Sequence, residues 1–320
     1  MPNLDLPLDQ LLLYRTRNPK PVDFDAYWTK ALAELAAIDP KPQLTKAAFQ
    51  VRGSECFELT FTSACNARVY AKYLRPAKFV GKLPTLLEFH GFPGHSGDWR
   101  NKTAWTGQGF AIASLDCRVQ GGRSQDLGDY KASPGNGHLT RGLDEADPQK
   151  LHYRNLYLDT VQLARVVMGF AEVDSARLGA LGGSQGGGLA LACASLVPQI
   201  KRVAPVFPFL CDWKRVWDMD LAKDAYGELR DYFRRFDPHH ARQTEIFTRL
   251  GYIDVSLLSA RITAETLMAI SQMDPICPPS TQFAAYNAIT APKSYKLYVD
   301  YGHENLPGFD DATAEFFAGL

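Results

Sequence analysis

Residues 177–196 read RLGALGGSQGGGLALACASL: an apolar run, a block of glycines that spares one serine and one glutamine, and a second apolar run. Three structures compete for such a segment. A phosphate-cradling loop needs GxxxxGK[ST], or GxGxxG with an acidic residue further on, and neither pattern occurs around 181–188. A flexible linker is excluded because apolar elements flank the glycines closely on both sides. What remains is Gly182-Gly183-Ser184-Gln185-Gly186, a G-x-S-x-G between a strand candidate (RLGALG) and a helix candidate (GGLALACASL). On such a turn the serine is held in unfavourable backbone geometry, and the positions two before and two after it must lack bulk; Gly182 and Gly186 meet that need. The rival is a glycine-rich turn with an incidental serine.

A serine is a poor nucleophile at neutral pH, so the reading demands a base and a residue to orient it. On this strand-turn-helix arrangement the chain order is serine, acid, histidine, each partner on a loop after a later strand. Asp274 directly follows the strand candidate TLMAISQM, and His303 follows YKLYVD within DYGHE. Both lie on the carboxyl side of their strands, where open α/β sheets carry their sites. The expected oxyanion donors are the main-chain amides of Gln185, at the start of a helix, and of Phe92, in the loop HGFPGHSG after LPTLLEF. His90 in that loop precedes the serine and is assigned a structural role. His239-His240 lacks the HExxH spacing of a metal site and is read as a solvated face or turn.

Working outward, apolar runs alternate with helix-like sequence from Leu83 onward. LPTLLEFH, FAIASLD, RLGALG, RVAPVF, TLMAISQM and YKLYVD read as buried parallel strands, with helices expected over 152–171, 187–196, 279–290 and 310–318. Before them, CFELTFT (56–62) and ARVYAKYL (67–74), separated by SACN, predict an antiparallel hairpin. Asp23 to Ile38 predicts an amphipathic amino-terminal helix capped by Asp23. Residues 208–258, charged and aromatic-rich, read as a helical insertion beside or over the site. The expectation is an α/β-hydrolase fold, a mostly parallel central sheet flanked by helices, with residues 1–320 forming a single domain; no repeat or low-complexity tract divides the chain.

Bulk properties set the partners. Lys plus Arg and Asp plus Glu both number 35, so no net field recruits nucleic acid or an anionic membrane surface. No apolar stretch is long enough to span a bilayer, and MPNLDLPLDQ lacks the layout of a secretory signal, so the chain is expected to be soluble and unprocessed. Six cysteines without a CxxC pair are expected as buried, reduced thiols of a cytoplasmic protein.

The motifs together are more specific than G-x-S-x-G alone. DLPLDQLLLYR with DFDAYW, DCRVQGGRS with a GDY further on, TRGLDEADPQKLHYRNLYLDTV, GGSQGGG, VFPFLCDW, MDPICPPSTQFAAYN and YGHE resemble the acetyl xylan esterase and cephalosporin C deacetylase family, carbohydrate esterase family 7, over nearly the whole chain. The resemblance implies a serine esterase that removes acetyl groups from small acetylated sugars or xylo-oligosaccharides, and from cephalosporin C. It further implies a cytoplasmic homohexamer with no metal or organic cofactor, and roles for Arg118 and Gln120 in substrate binding or structural support. Two departures stand out. Val119 replaces the glycine of the family's RGQ, and Phe92 replaces a tyrosine in the oxyanion loop. A broader carboxylesterase or peptidase on the same fold, and a non-catalytic binding protein, stay open at this level.

Overall fold

A computed structural model describes residues 4–129 and 138–320; Tyr130 of the GDY motif lies outside them. Among the described residues nine strands form one sheet in the order β1-β2-β3-β5-β4-β6-β7-β8-β9. They are β1 (Gln43–Lys46), β2 (Ser54–Thr62), β3 (Arg68–Pro76), β4 (Leu83–Phe89), β5 (Ala111–Leu115), β6 (Val173–Gly183), β7 (Ile200–Val206), β8 (Glu265–Ser271) and β9 (Lys293–Tyr298). β1, β2, β3 and β5 pair antiparallel, whereas β5-β4-β6-β7-β8-β9 is parallel throughout. The six apolar runs therefore appear as the parallel block, and the expected hairpin is β2-β3. Ala111–Leu115 is buried at every position, the pattern of a strand covered on both faces.

The helices are α1 (Leu8–Leu11), α2 (Phe24–Ala36), α3 (Thr103–Gly107), α4 (His152–Met168), α5 (Gln185–Leu196), α6 (Trp213–Asp218), α7 (Gly227–Phe236), α8 (Gln243–Leu250), α9 (Val255–Leu258), α10 (Pro279–Ala288) and α11 (Phe309–Phe317). Four of them, α6 to α9, lie in the 208–258 segment, which is helical as expected. Among the described residues no helix is long and apolar enough to cross a membrane.

The amino-terminal segment is tied to this body by aromatic contacts and buried polar bonds. Trp28 of α2 is fully buried, stacks on Tyr157 of α4 with centroids 6.0 Å apart, and donates from Nε1 to the Tyr252 carbonyl at 3.0 Å. Asp5 accepts from Arg215 Nη2 at 2.5 Å and from the Ser280 amide at 2.8 Å, which binds the chain start to α6 and α10. Tyr14 Oη donates to Asp212 Oδ2 at 2.9 Å, and the Arg17 amide to the same oxygen at 3.0 Å.

Three expectations need correction. Asp23 precedes α2 but makes no capping bond; its carboxylate instead accepts from Tyr252 Oη at 2.5 Å, a tertiary partner that outcompetes the local one. The edge strand β1 is absent from the expected set, because QLTK is exposed at all four positions and shows no alternation. Of the six free cysteines five are buried, but Cys65 is exposed, in a tight connection where it takes φ 57°.

Candidate active site

Between β4 and β6 the sheet order reverses: β4 is flanked by β5 on one side and β6 on the other. At such a switch the loops leaving the carboxyl ends splay apart and open a crevice. The loop after β4 (90–98) and the turn after β6 meet there.

Ser184 sits between β6 and α5 with φ 56° and ψ −120°, a conformation that costs a non-glycine residue about 1–3 kcal/mol. The surrounding glycines are explained by what crosses them. A Cβ on Gly182 would lie 2.5 Å from the Phe89 carbonyl oxygen, and one on Gly186 only 2.0 Å from the same atom. On Gly187 it would meet the Val206 oxygen at 2.8 Å, and on Gly188 the Phe209 oxygen at 2.4 Å. Gly183 has no such neighbour nearer than 3.8 Å. Thus four of the five glycines let the backbones after β4 and β7 press against the start of α5. The turn is fixed further by the Ser184 amide donating to the Val206 carbonyl, and by the Ser184 carbonyl accepting from the Gly188 and Phe209 amides, all at 3.0 Å.

The structure brings together three side chains that are 29 and 119 residues apart in sequence. His303 Nε2 lies 2.9 Å from Ser184 Oγ, and His303 Nδ1 lies 2.8 Å from Asp274 Oδ2. Asp274 is fully buried, and its other oxygen accepts from the amides of Ile276 and Cys277, each at 2.8 Å. The carboxylate is thus fixed by its own loop and its free oxygen faces the imidazole. The ring of Phe207, at the end of β7, tilts against the His303 ring with centroids 4.4 Å apart. With Nδ1–H donating to the carboxylate, Nε2 is left as the acceptor for the serine proton. Asp274, Cys277 and His303 also offer metal-ligand atoms within 4.8 Å of one another. The 2.8 Å from Nδ1 to Oδ2 is a hydrogen-bond length, however, shorter than the ~3.3 Å that separates two ligands on one tetrahedral zinc.

Gln185 is the first residue of α5, so its N–H has no intrahelical acceptor and stands at the positive end of the helix. The loop bearing Phe92 runs alongside Ser184: a Cβ on Gly91 would sit 3.9 Å from Ser184 Cβ. Phe92 packs its ring against His138 at 5.1 Å, and the amides of His138 and Leu139 donate to Glu228 of α7 at 3.1 and 2.9 Å. The 208–258 segment therefore lies beside the site and holds the wall on which Phe92 leans. His90 braces the same loop. Its Nδ1 bonds the Gly91 carbonyl at 2.8 Å and its Nε2 accepts from the Cys117 amide at 3.0 Å, which together define the Nδ1–H tautomer. Burial holds its pKa below the ordinary value, so the ring stays neutral.

Of the two supporting side chains, Arg118 is fully buried. It forks onto Asp159, both bonds 2.6 Å, and reaches the Ala64 carbonyl at 2.8 Å. These bonds tie the β5 loop to α4. Gln120 exchanges two bonds with the Gln185 side chain, at 2.8 and 2.9 Å. Gln185 Oε1 also accepts from Tyr153 Oη at 2.8 Å, and its Nε2 points at the His90 carbonyl at 3.4 Å. Sequence reasoning reaches only the amide of Gln185. Its side chain joins α4, α5, the β4 loop and the β5 loop in one network, which only a buried position for a glutamine inside a glycine run could have hinted at. Val119, the departure from glycine, takes φ 47°, the left-handed region that glycine enters freely, so Gln120 still reaches its partner.

Comparison with known proteins adds an independent line. A family model for acetyl xylan esterase (AXE1) matches residues 1–320. The crystal structure of acetyl xylan esterase 1 from Thermoanaerobacterium sp. JW/SL YS485 is 50% identical, with TM-score 0.96 over 98% of this chain and 99% of that one. An acetyl xylan esterase from Paenibacillus sp. R4 is 36% identical, with TM-score 0.94 over 98% and 100%. Acetyl esterase Axe7A of Xylanibacter ruminicola is 26% identical over 298 residues, 89% of this chain; the chain spans 63% of that curated relative's length.

Proposed function

We infer, from the premise that this chain belongs to the acetyl xylan esterase family, that it is a serine acetylesterase acting on small acetylated sugars and xylo-oligosaccharides. The observation that carries the reading is the unbroken relay from Ser184 Oγ through the His303 ring to the buried Asp274 carboxylate, with links of 2.9 and 2.8 Å.

In the first half-reaction Ser184 Oγ attacks the ester carbonyl while Nε2 of His303 takes its proton. Asp274 holds Nδ1–H, keeps the ring in the useful tautomer and stabilises the imidazolium. The tetrahedral oxyanion is met by the main-chain N–H groups of Gln185 and Phe92, of which losing one typically costs ~3 kcal/mol. Collapse expels the sugar hydroxyl, which takes the proton from Nε2. Water then repeats the sequence on the acetyl-enzyme, releasing acetate and restoring the serine. Because Nε2 must reach the leaving oxygen, the alcohol lies on the His303 side of the nucleophile. A depression of about 360 Å³ that borders His303 and Gly183, lined further by Phe207, Asn305 and Leu306 among others, is large enough for a sugar ring.

The proposal extends, on the family resemblance, to cephalosporin C as a second acetyl ester, to a homohexamer and to a cytoplasmic location. Ser184→Ala is expected to lower hydrolysis of p-nitrophenyl acetate at least 10³-fold while binding is kept. Unchanged hydrolysis by that variant overturns the reading. Acetate release from acetylated xylose oligomers of graded length, measured on the native enzyme, tests the substrate class; activity confined to long polymers contradicts it.

A further inference from the structure

We propose that the sugar of the substrate lies over the bare Cα of Gly183 and extends into a hollow between α3 and α11, which takes a second xylosyl unit. The proposal rests on the acyl-transfer reading above and adds to it a place for a substrate of two sugars.

Gly183 is the one glycine of 182–188 that the chain itself does not account for. Its φ lies outside the left-handed region, and a Cβ there would stand 3.8 Å from Val206 Cβ and 3.9 Å from Phe207 Cε2, which is ordinary contact. A glycine with neither reason marks a place that something else approaches closely. Its surroundings say what approaches. Gly183 ends β6, directly before Ser184, and lines the depression of about 360 Å³ that also borders His303. It lines a second hollow as well, of about 410 Å³. Val206, Phe309 and Asp310 are common to both, so the two hollows are neighbours.

The second hollow is built by one face of the sheet and two helices. Leu181 and Gly183 alternate onto the same face of β6, and their register partners on β7, Ala204 and Val206, complete an apolar floor. Helix α3 contributes Trp105, half-buried and held by T-shaped contacts to Phe110 and Phe317 at 5.9 and 5.8 Å. Helix α11 contributes Ala314 and the exposed carboxylate of Asp310, and the exposed amide of Asn101 lines the same space. This is chemistry that receives a pyranose: its C–H faces pack on apolar surface and on an indole, and its hydroxyls donate to carboxylate and amide oxygens. Each hollow falls in the range of ~300–1,000 Å³ typical of small-ligand sites. A monosaccharide ester occupies the first alone; a second ring is what reaches the other.

The alternative is that the second hollow is a packing gap that no substrate enters. The measurements are kcat/KM for p-nitrophenyl acetate, monoacetylated xylose and monoacetylated xylobiose, with melting temperature, on the wild type, Gly183→Ala and Ala314→Phe. The wild type is expected to favour the xylobiose ester over the xylose ester at least fivefold. Ala314→Phe, which fills the hollow from the partly exposed face of α11, is expected to bring that ratio within twofold of unity. Gly183→Ala adds a methyl beside Val206 and Phe207, and is expected to lower the ratio of xylose ester to p-nitrophenyl acetate at least fivefold. A smaller wild-type preference for xylobiose, or one that outlasts Ala314→Phe, overturns the second-sugar site; an unaltered ratio in Gly183→Ala overturns the path over Gly183. Ser184→Ala run alongside distinguishes the failures: if it still cleaves the three esters the acyl-transfer reading falls, and if it is inactive while the wild type ignores the second ring, only the proposed site does.

Discussion

Val119 occupies φ 47° and is 42% exposed, in the loop that delivers Gln120 to the Ser184 turn. A left-handed backbone costs a residue with a Cβ about 1–2 kcal/mol, and a β-branched one is the least suited to it. Glycine removes that strain but loses more chain entropy on folding. Since little apolar surface is buried, Val119→Gly is expected to raise stability by up to ~1 kcal/mol with kcat unchanged; chemical denaturation and steady-state kinetics check both. Ser184 is strained likewise, but there the strain holds the hydroxyl within 2.9 Å of His303. At this scale Ser184, Asp274 and His303 could be picked out in the sequence because each follows an apolar run. The Gln185 side chain could not, because its partners arrive from other loops and from α4.

Elements were legible where burial leaves an apolar run in the sequence. The six parallel strands and the four helices that follow them show it; β1, with four exposed residues, does not. Asp23 shows a different failure, since a local capping rule gave way to a bond from Tyr252, 229 residues away. The joint between β5 and α4 depends on a buried charge pair that no sequence period encodes. Arg118 and Asp159 are both within 1% of full burial and share two bonds of 2.6 Å. Removing Asp159 takes two charge-assisted bonds from a guanidinium held in a low-dielectric interior, while Asp126, 3.5 Å from Arg118 Nη1, still offsets part of its charge. Asp159→Ala is expected to destabilise the protein by about 3 kcal/mol, read from the shift in denaturation midpoint. The loss should reach activity too, since Gln120 shares the Arg118 loop.

Across the whole molecule, the amino-terminal segment and the 208–258 segment meet at two buried carboxyls. Asp212 accepts from Tyr14 and the Arg17 amide, and its own amide donates to Asp254 Oδ1 at 3.1 Å. Asp254 accepts further from the amide and hydroxyl of Ser256, while among the described residues its buried Oδ2 has no hydrogen-bond partner. Burial raises both carboxyls above their ordinary range, and for Asp254 the charge of Asp212 adds to the rise. Nearby cations, Arg17 and Arg215, face Tyr14 and offset part of that field. A carboxyl with a raised folded pKa binds a proton that the unfolded chain has released. Its contribution is therefore complete below the unfolded value of about 3.9 and is lost as pH climbs through the folded one. Asp254→Asn keeps the acceptor and removes the titration, so between pH 4 and pH 8, a span that runs from the unfolded value to just past the folded one of about 7, its melting temperature is expected to lose less with rising pH than that of the wild type. An equal or larger fall in the variant contradicts this.

The pairing of the last strands has a mechanical consequence. β8 and β9 are joined by six consecutive partners, Thr266 to Ser271 against Lys293 to Tyr298, whereas β7 and β8 share three, Arg202, Val203 and Val206 against Glu265, Thr266 and Ala269. Asp274 and His303 leave from the well-stitched pair; the serine belongs to the other side of the loosely stitched seam. Heat or pulling force should open the sheet like a book at that seam, carrying carboxylate and imidazole away as an intact couple and leaving an unaided alcohol on the facing page.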